Sequence, residues 1–460
     1  MTRELVFEPG AFGVRAALLE NGRLIELHEA GADRPLTDRL FLARVTRVEP
    51  RLNAAFLDFG EGRDGYLTAK DARFAAGTSE RLPISRLVRE GRFLIVQGIR
   101  EGDADKGPRF TTDLRLFGLF VIYRPHGGEA AASARSRGRD RRLLVERART
   151  LFPKGGVTLR RFAAKVGDEV VREELRRLEE RWQRIAGEAK TRRRPGRLAA
   201  DEDPLETLWR HLLEYEPARV RVADAALHAR LRALLAALPE AVRPRLQRIE
   251  AVSAFEETGV AAEITRALAA VVPLAGGGRI VIEPTLACTA IDVDGEGREA
   301  LALDLEAAAE IARQIRLRNI GGTIVVDFVD LARPQERKRL EEALRRAFRD
   351  DPLTVQIQPM SPLGLVQISR ARRGRGLAAR WWRACRRCGG SGREESLHAR
   401  AEALHRDLRG RPSPPRRLRL APDLHAFLAR QGPPAWLSGI DLDCDRSLPP
   451  GGFRSEDGDG

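Results

Sequence analysis

The sequence predicts a multidomain α/β protein with a small β-barrel inserted near its N-terminal end. Three observations predict it. From residue 219 onward, strand-like runs alternate with helix-length segments, the pattern of α/β layering. Between Phe41 and Tyr123, roughly five short strand-like runs follow one another through Pro, Asn and Gly turns, which suits a small barrel. The 460 residues, 43% of them hydrophobic, exceed a single core and point to about two to four folding units.

Residues 3–29 alternate apolar and polar positions around a central Gly, predicting two short strands. Ala43–Val48, Ala54–Phe59 and Phe93–Ile99 read as barrel strands, and the apolar stretch Leu116–Tyr123 closes that segment. Residues 125–145 are rich in Gly, Ser and Arg without an apolar period, and read as a loop or hinge. A long Arg/Glu helix follows over Val170–Lys190, with Val171, Leu175, Leu178, Trp182 and Ile185 on one face. The basic breaker KTRRRPGR marks a boundary, and residues 219–275 alternate strands and helices. Pro334 opens a helix to about Asp350 that aligns Leu340, Leu344 and Phe348. Leu353–Pro359 and Leu363–Ser369 read as strands, Arg370–Arg387 as an Arg-dense linker, and residues 393–460 as a small mixed domain with a disordered end. No internal repeat is evident.

The formal charge is +15, from 81 basic and 66 acidic residues, and the bases are mostly Arg. Guanidinium groups grip phosphate with paired hydrogen bonds, so this balance fits a polyanionic partner; a general compositional preference for Arg fits it too. Four cysteines make no disulfide scaffold. The N-terminus has no secretory layout, and no apolar run approaches a membrane span, so a soluble cytoplasmic protein without membrane association is expected.

Two carboxylates carry the chemistry. Asp292 ends the apolar run Gly278–Ile291 and Asp327 ends the run Thr323–Val326, with one helix-length segment, Arg298–Asn319, between them. A strand–helix–strand unit of that length predicts parallel neighbouring strands, with both acids at one sheet edge, where open α/β sheets place ligands. Such a pair is a natural Mg²⁺ site. Asp294, two residues beyond Asp292, points the same way in a strand, or converges on the same ion in a turn. The plain alternative is a solvated strand-end turn. Cys385 and Cys388 have the spacing of half a tetrahedral zinc site, and a redox CxxC is the rival reading.

The segment IDVDGEG…LDLEAAAEIARQIRLRNIGGTIVVDFVDL, followed by PLGLVQISRAR and CRRCGGSG, strongly resembles the catalytic half of the ribonuclease E/ribonuclease G family. The resemblance covers essentially the whole length. It implies RNase H-like parts at residues 1–36 and 207–278, an S1 (OB-type) barrel at 37–124 and a 5′-sensor region at 125–206. It further implies a DNase I-like catalytic subdomain at 279–384, a zinc link at 385–392 and a small C-terminal domain at 393–460. Family members are Mg²⁺-dependent endoribonucleases that cut single-stranded RNA in RNA processing and decay, leaving 5′-phosphate and 3′-hydroxyl ends.

By the same resemblance, Asp292 and Asp327 hold Mg²⁺, and Asp294 takes the place of an auxiliary Asn. Phe56 and Tyr66 stack bases, and Lys106 is a basic contact. Arg160 falls on a 5′-phosphate Arg, Arg161 on its Thr neighbour and Ile122 on a backbone-amide contact. Cys385 and Cys388 supply half of a Zn²⁺ site shared across a homodimer, with dimers free to pair into tetramers. The chain departs from the pattern at Asp294, at Arg161, at Thr354 where a second sensor Arg is expected, at Leu286 where a Glu is common, and in a shorter loop after Asp294. With no scaffold tail after the catalytic portion of the sequence, a ribonuclease G-like organisation is expected rather than a degradosome platform. The rival reading is an RNA-binding S1 protein that no longer cleaves.

Overall fold

The computed structural model describes residues 2–31, 36–78, 80–102, 107–133, 136–199, 203–295, 297–371, 374–383, 385, 388, 390, 392, 394–431 and 435–456. The chain divides into two compact units, residues 1–381 and 382–460.

The first unit begins with three antiparallel strands rather than two: Arg3–Gly10, Gly13–Glu20 and Arg23–Gly31. They join Arg219–Val222 and Arg245–Arg248, distant in sequence, in one five-stranded sheet, with Arg3–Gly10 parallel to Arg219–Val222. Both faces are covered. Leu5, Phe7, Ala16 and Leu18 pack into one core, while Val6, Ala17, Leu19 and Leu24 pack into another with Phe255, Ile264 and Leu317.

The predicted barrel forms. Leu40–Glu49 pairs with both Ala54–Asp58 and Phe93–Arg100, which closes a sheet containing Asp64–Thr68 and Arg109–Thr111. Phe41, Phe59 and Phe110 fill its interior with edge-to-face and tilted contacts. The stretch Leu116–Tyr123 does not close it. Leu116–Phe117 and Val121–Tyr123 instead build a separate four-stranded sheet with Ala131–Ala132 and Val157–Leu159, while Gly196–Arg197 joins the barrel edge.

The last part of the segment read as a loop, 125–145, starts a helix, Gly138–Leu151. Its seam of Leu144, Ala148 and Leu151 is short but sufficient, because it docks on the four-stranded sheet. The long helix is Asp168–Thr191.

The apolar run Gly278–Ile291 is two strands, Arg279–Pro284 and Thr289–Asp294, folded antiparallel. With Val271–Pro273, Gly322–Asp327, Val355–Ile357 and Leu365–Arg370 they form a six-stranded sheet. One face packs on the helices Ala300–Leu317 and Pro334–Ala347 through Ile291, Val293, Ile324, Val326, Ile311 and Leu344. Alternate residues point the other way, to solvent.

The helix Ala300–Leu317 is buried on more than its sheet side. Arg316 pairs with Glu26 at 2.6 Å, and Arg313 donates to the Leu24 carbonyl at 2.8 Å. Burial opposes ionisation of Glu26, but the Arg316 charge and hydrogen bonds from His28 and Tyr215 hold its carboxyl well below the usual range. The arginines of EIARQIRLRN thus tie the six-stranded sheet to the N-terminal sheet.

In the second unit, Arg417–Leu420 is central between Asp441–Cys444 and Phe453–Glu456, over a core of Leu404, Leu418, Leu424 and Leu428. Part of the end expected to be disordered is therefore a strand.

Candidate functional site

Thr289–Asp294 and Gly322–Asp327 run parallel, and Asp292 is the register partner of Asp327. Adjacent strands lie about 4.8 Å apart, so the two carboxylates stand side by side. Both are exposed, on the sheet face away from the helices. Among the described residues neither has a hydrogen-bond or ion-pair partner. Two exposed, unpartnered carboxylates suit Mg²⁺, which takes oxygen ligands at about 2.1 Å, keeps several waters and needs one or two carboxylates. Among the described residues no group of three or more His, Cys, Asp or Glu forms a fuller cage.

Asp294 shares that face but has a partner: Arg279, directly across the antiparallel pair, lies 2.6 Å from its carboxylate. Its charge is therefore balanced, not added freely beside the pair. Beyond Asp294, Arg298 bonds Glu306 and the Gly277 carbonyl, each at 2.8 Å. Glu299 caps the helix by accepting from Leu301 and Ala302. Leu286 lies in the hairpin turn beyond the other end of the Asp292 strand, fully exposed.

Sequence reasoning missed Asp304. It is wholly buried in the helix beneath the sheet and accepts from the Val329 N–H at 3.2 Å, two residues past Asp327. Its other oxygen has no partner. Burial pushes its carboxyl up to about 7, and the nearby Glu299 charge adds to the rise. An acid inside the apolar face of LALDLEAAA was the available signal.

On the barrel wall Phe56 and Tyr66 are register partners, half-buried, with ring centroids 5.8 Å apart. Phe56 is not a core residue; the core aromatics are Phe41, Phe59 and Phe110. Arg47, also unforeseen, lies over the Phe56 ring at 4.4 Å and has no carboxylate partner among the described residues. The result is one outward surface of two rings and a cation. Lys106 lies outside the described residues; Pro108 accepts from the Tyr66 N–H at 2.8 Å.

Arg160 departs from the expectation of a phosphate contact. It is 1% exposed, and its guanidinium donates to Glu214 at 2.6 Å, to the Arg210 carbonyl at 3.1 Å and to the Gly118 carbonyl. The adjacent backbone is filled as well: the Leu119, Phe120 and Val121 N–H groups donate to Glu174 at 2.6–2.8 Å. Ile122 follows in the strand Val121–Tyr123, paired with Thr158. Arg161 is half-exposed and paired with Glu216 at 3.2 Å, which Lys165 shares. Thr354 is exposed beside the strand Val355–Ile357.

Cys385 is exposed and Cys388 half-buried, and neither is in a disulfide among the described residues. Cys288 sits in the hairpin turn with Thr285, and Cys444 ends a strand of the second unit. No helix among the described residues is long and apolar enough to cross a membrane.

Fold and site together define a multidomain α/β protein with a carboxylate pair on the open face of a sheet, near the ends of two parallel strands, and an aromatic–cation surface on a closed barrel. The chain belongs to the ribonuclease E/G family, whose model matches residues 115–373. It is 33% identical to ribonuclease E of Synechocystis sp. over 77% of this chain and 55% of that protein. Against ribonuclease E of Escherichia coli it is 32% identical over 85% of this chain and 39% of that protein. Against ribonuclease G of Escherichia coli it is 28% identical over 89% and 88%. The chain thus spans about half the length of the ribonuclease E relatives and most of ribonuclease G.

Proposed function

We propose that the protein is a Mg²⁺-dependent endoribonuclease cutting single-stranded RNA during RNA processing and decay, leaving 5′-phosphate ends. The observation that carries this reading is the register pairing of Asp292 with Asp327, exposed and unpartnered, in a chain of the ribonuclease E/G family. Those two side chains would hold the metal, which when bound supplies a water of lowered pKa and neutralises charge on the attacked phosphate. Asp294, held by Arg279, orients the strand end beside them. Asp304 fixes the backbone leaving Asp327 through Val329. Phe56 and Tyr66 stack bases, each contributing about 1–3 kcal/mol without base preference, and Arg47 and Lys106 meet the backbone.

In the same reading, the five-stranded sheet is RNase H-like, the barrel is an S1 domain and the six-stranded sheet is the DNase I-like catalytic subdomain. Arg161 is the remaining candidate for a 5′-end contact, because Ile122 is a ladder partner of both Thr158 and Phe117. Cys385 and Cys388 supply half of a zinc site completed by a second copy of the chain. Zinc chelation or Cys385→Ser then shifts the solution mass toward monomer; an unchanged mass removes the zinc link.

The test is a cleavage assay on a defined 5′-monophosphorylated oligoribonucleotide with and without Mg²⁺. Metal-dependent cuts lost in Asp327→Asn support the reading. RNA binding with no cleavage by either protein replaces it with a non-catalytic RNA-binding role.

A further inference from the structure

The helix Gly138–Leu151 carries arginines that nothing in the fold uses. Its inner face is Leu144, Ala148 and Leu151, and Arg147 is tied down by Asp168 and the Ala163 and Val166 carbonyls. Arg139, Arg141, Arg142 and Arg149 are exposed, and among the described residues their side chains have no hydrogen bond, ion pair or ring contact. Three of these four lie in the first helical turns, at the positive end of the helix dipole, where cations are disfavoured. Nothing in the packing demands Arg there.

The neighbouring helix Asp168–Thr191 carries the same number of arginines, five, over a longer span, but pairs three of them internally. Arg172 pairs with Glu169, Arg176 with Glu173 and Glu180, and Arg177 with Glu173. The free cations of the shorter helix are therefore not a general property of this Arg-rich chain.

They also share a face: a shallow open groove of about 660 Å³ lies on one side of this helix, between the side chains of Arg141, Arg142, Val145, Glu146 and Arg149. A second hollow, of about 240 Å³, lies beside it, shares Arg149 and is lined also by Phe152 and Lys154. Glu146 and Glu129 also line these hollows, leaving a net positive channel. Arg141 and Arg149 are eight residues apart, about 12 Å along the axis.

We infer that this groove binds the sugar–phosphate backbone of single-stranded RNA, as a docking surface separate from the carboxylate pair. The inference rests on RNA being the substrate. Among the described residues Phe152 is the one aromatic that lines these hollows, and it packs against the core beside Lys154. Guanidinium groups spaced along the helix grip phosphate without reading bases, so the groove adds affinity for long RNA and leaves the choice of cut unchanged.

The test measures binding of labelled oligo(A) RNA by fluorescence anisotropy in the Asp327→Asn protein, so that turnover does not intervene. Arg141→Glu/Arg142→Glu/Arg149→Glu is expected to weaken binding at least about 10-fold and to flatten the slope of log Kd against log salt by about two, for three lost phosphate contacts. The matching Lys triple variant retains most of the binding. Arg172→Glu/Arg176→Glu/Arg177→Glu, with the same change of net charge, has little effect. An unchanged salt slope in the first variant, or equal weakening in the third, overturns the inference and leaves the groove to an acidic protein surface. Metal-dependent cleavage by the wild type alongside that result leaves the enzymatic reading standing. Groove-dependent binding by a protein that never cleaves does the reverse.

Discussion

Asp292 and Asp327 stand exposed on the open face of their sheet and unpartnered among the described residues, whereas Arg160, equally prominent in the sequence, is buried and bonded through all three guanidinium nitrogens. Both regions contain residues that the family resemblance assigns to a ligand. Only one leaves them available. A charge that meets its partner within the fold supports the fold; a charge left without one is available for a ligand. The Glu174 carboxylate, seated on three backbone N–H groups beside Arg160, extends the contrast, because it occupies the donors an incoming anion would need. Burial raises its pKa, and those three donors and Arg160 offset the cost.

The largest expected effect lies at the carboxylate pair. Asp327→Asn should lower turnover of a defined RNA by about 10⁴-fold, some 5 kcal/mol of barrier, with unfolding midpoints near wild type. A loss of stability instead would make the pair structural and erase the contrast. In the Arg160 region the pattern should invert. Arg160→Ala leaves Glu214 without its buried partner and should cost on the order of 3 kcal/mol in urea unfolding, with little change in chemistry per folded molecule.

Asp304 sharpens the comparison, since it lies under the same sheet yet is buried. Its carboxyl titrates near 7 in the fold, against an ordinary value of 3.8. The neutral form therefore favours folding: its contribution is complete below pH 3.8 and is lost as pH rises through 7. Asp304→Asn should be more stable than wild type at about pH 8, by on the order of 2–4 kcal/mol, and closer to it at about pH 5. Parallel pH dependences in the two proteins would show that Asp304 stays ionised throughout. The smallest effect concerns the RNA end: with Arg160 engaged, 5′-monophosphate and 5′-hydroxyl versions of one substrate should be cut at rates within about two-fold of each other. A large monophosphate preference would show that Arg160 is released when RNA binds, or that Arg161 suffices.

The parts of the fold legible in the sequence are those fixed by local pattern. The parallel acidic strands follow from apolar runs separated by one helix, and the barrel from short strands between turns. The hairpin inside Gly278–Ile291 was hidden because its turn, Thr285–Cys288, lacks Gly, Asn and Asp, the usual markers of a tight turn. The helix Gly138–Leu151 was hidden because Arg crowds an apolar seam of only Leu144, Ala148 and Leu151. At the site, Asp292 and Asp327 were legible because each closes an apolar run. The engagement of Arg160 was not, since Glu214 and the Arg210 carbonyl lie more than fifty positions away, or fifty, along the chain. Arg47 over Phe56 depends on strand register and a bulge between Val45 and Arg47, which no local pattern announces.

The most direct measurement is isothermal titration of Mg²⁺ into the wild type, Asp292→Asn, Asp327→Asn and Asp294→Asn proteins. Asp292→Asn and Asp327→Asn should each weaken binding by at least about 10-fold, and Asp294→Asn by much less, because Arg279 already occupies that carboxylate. Mg²⁺ binding that survives both substitutions undiminished would contradict the account.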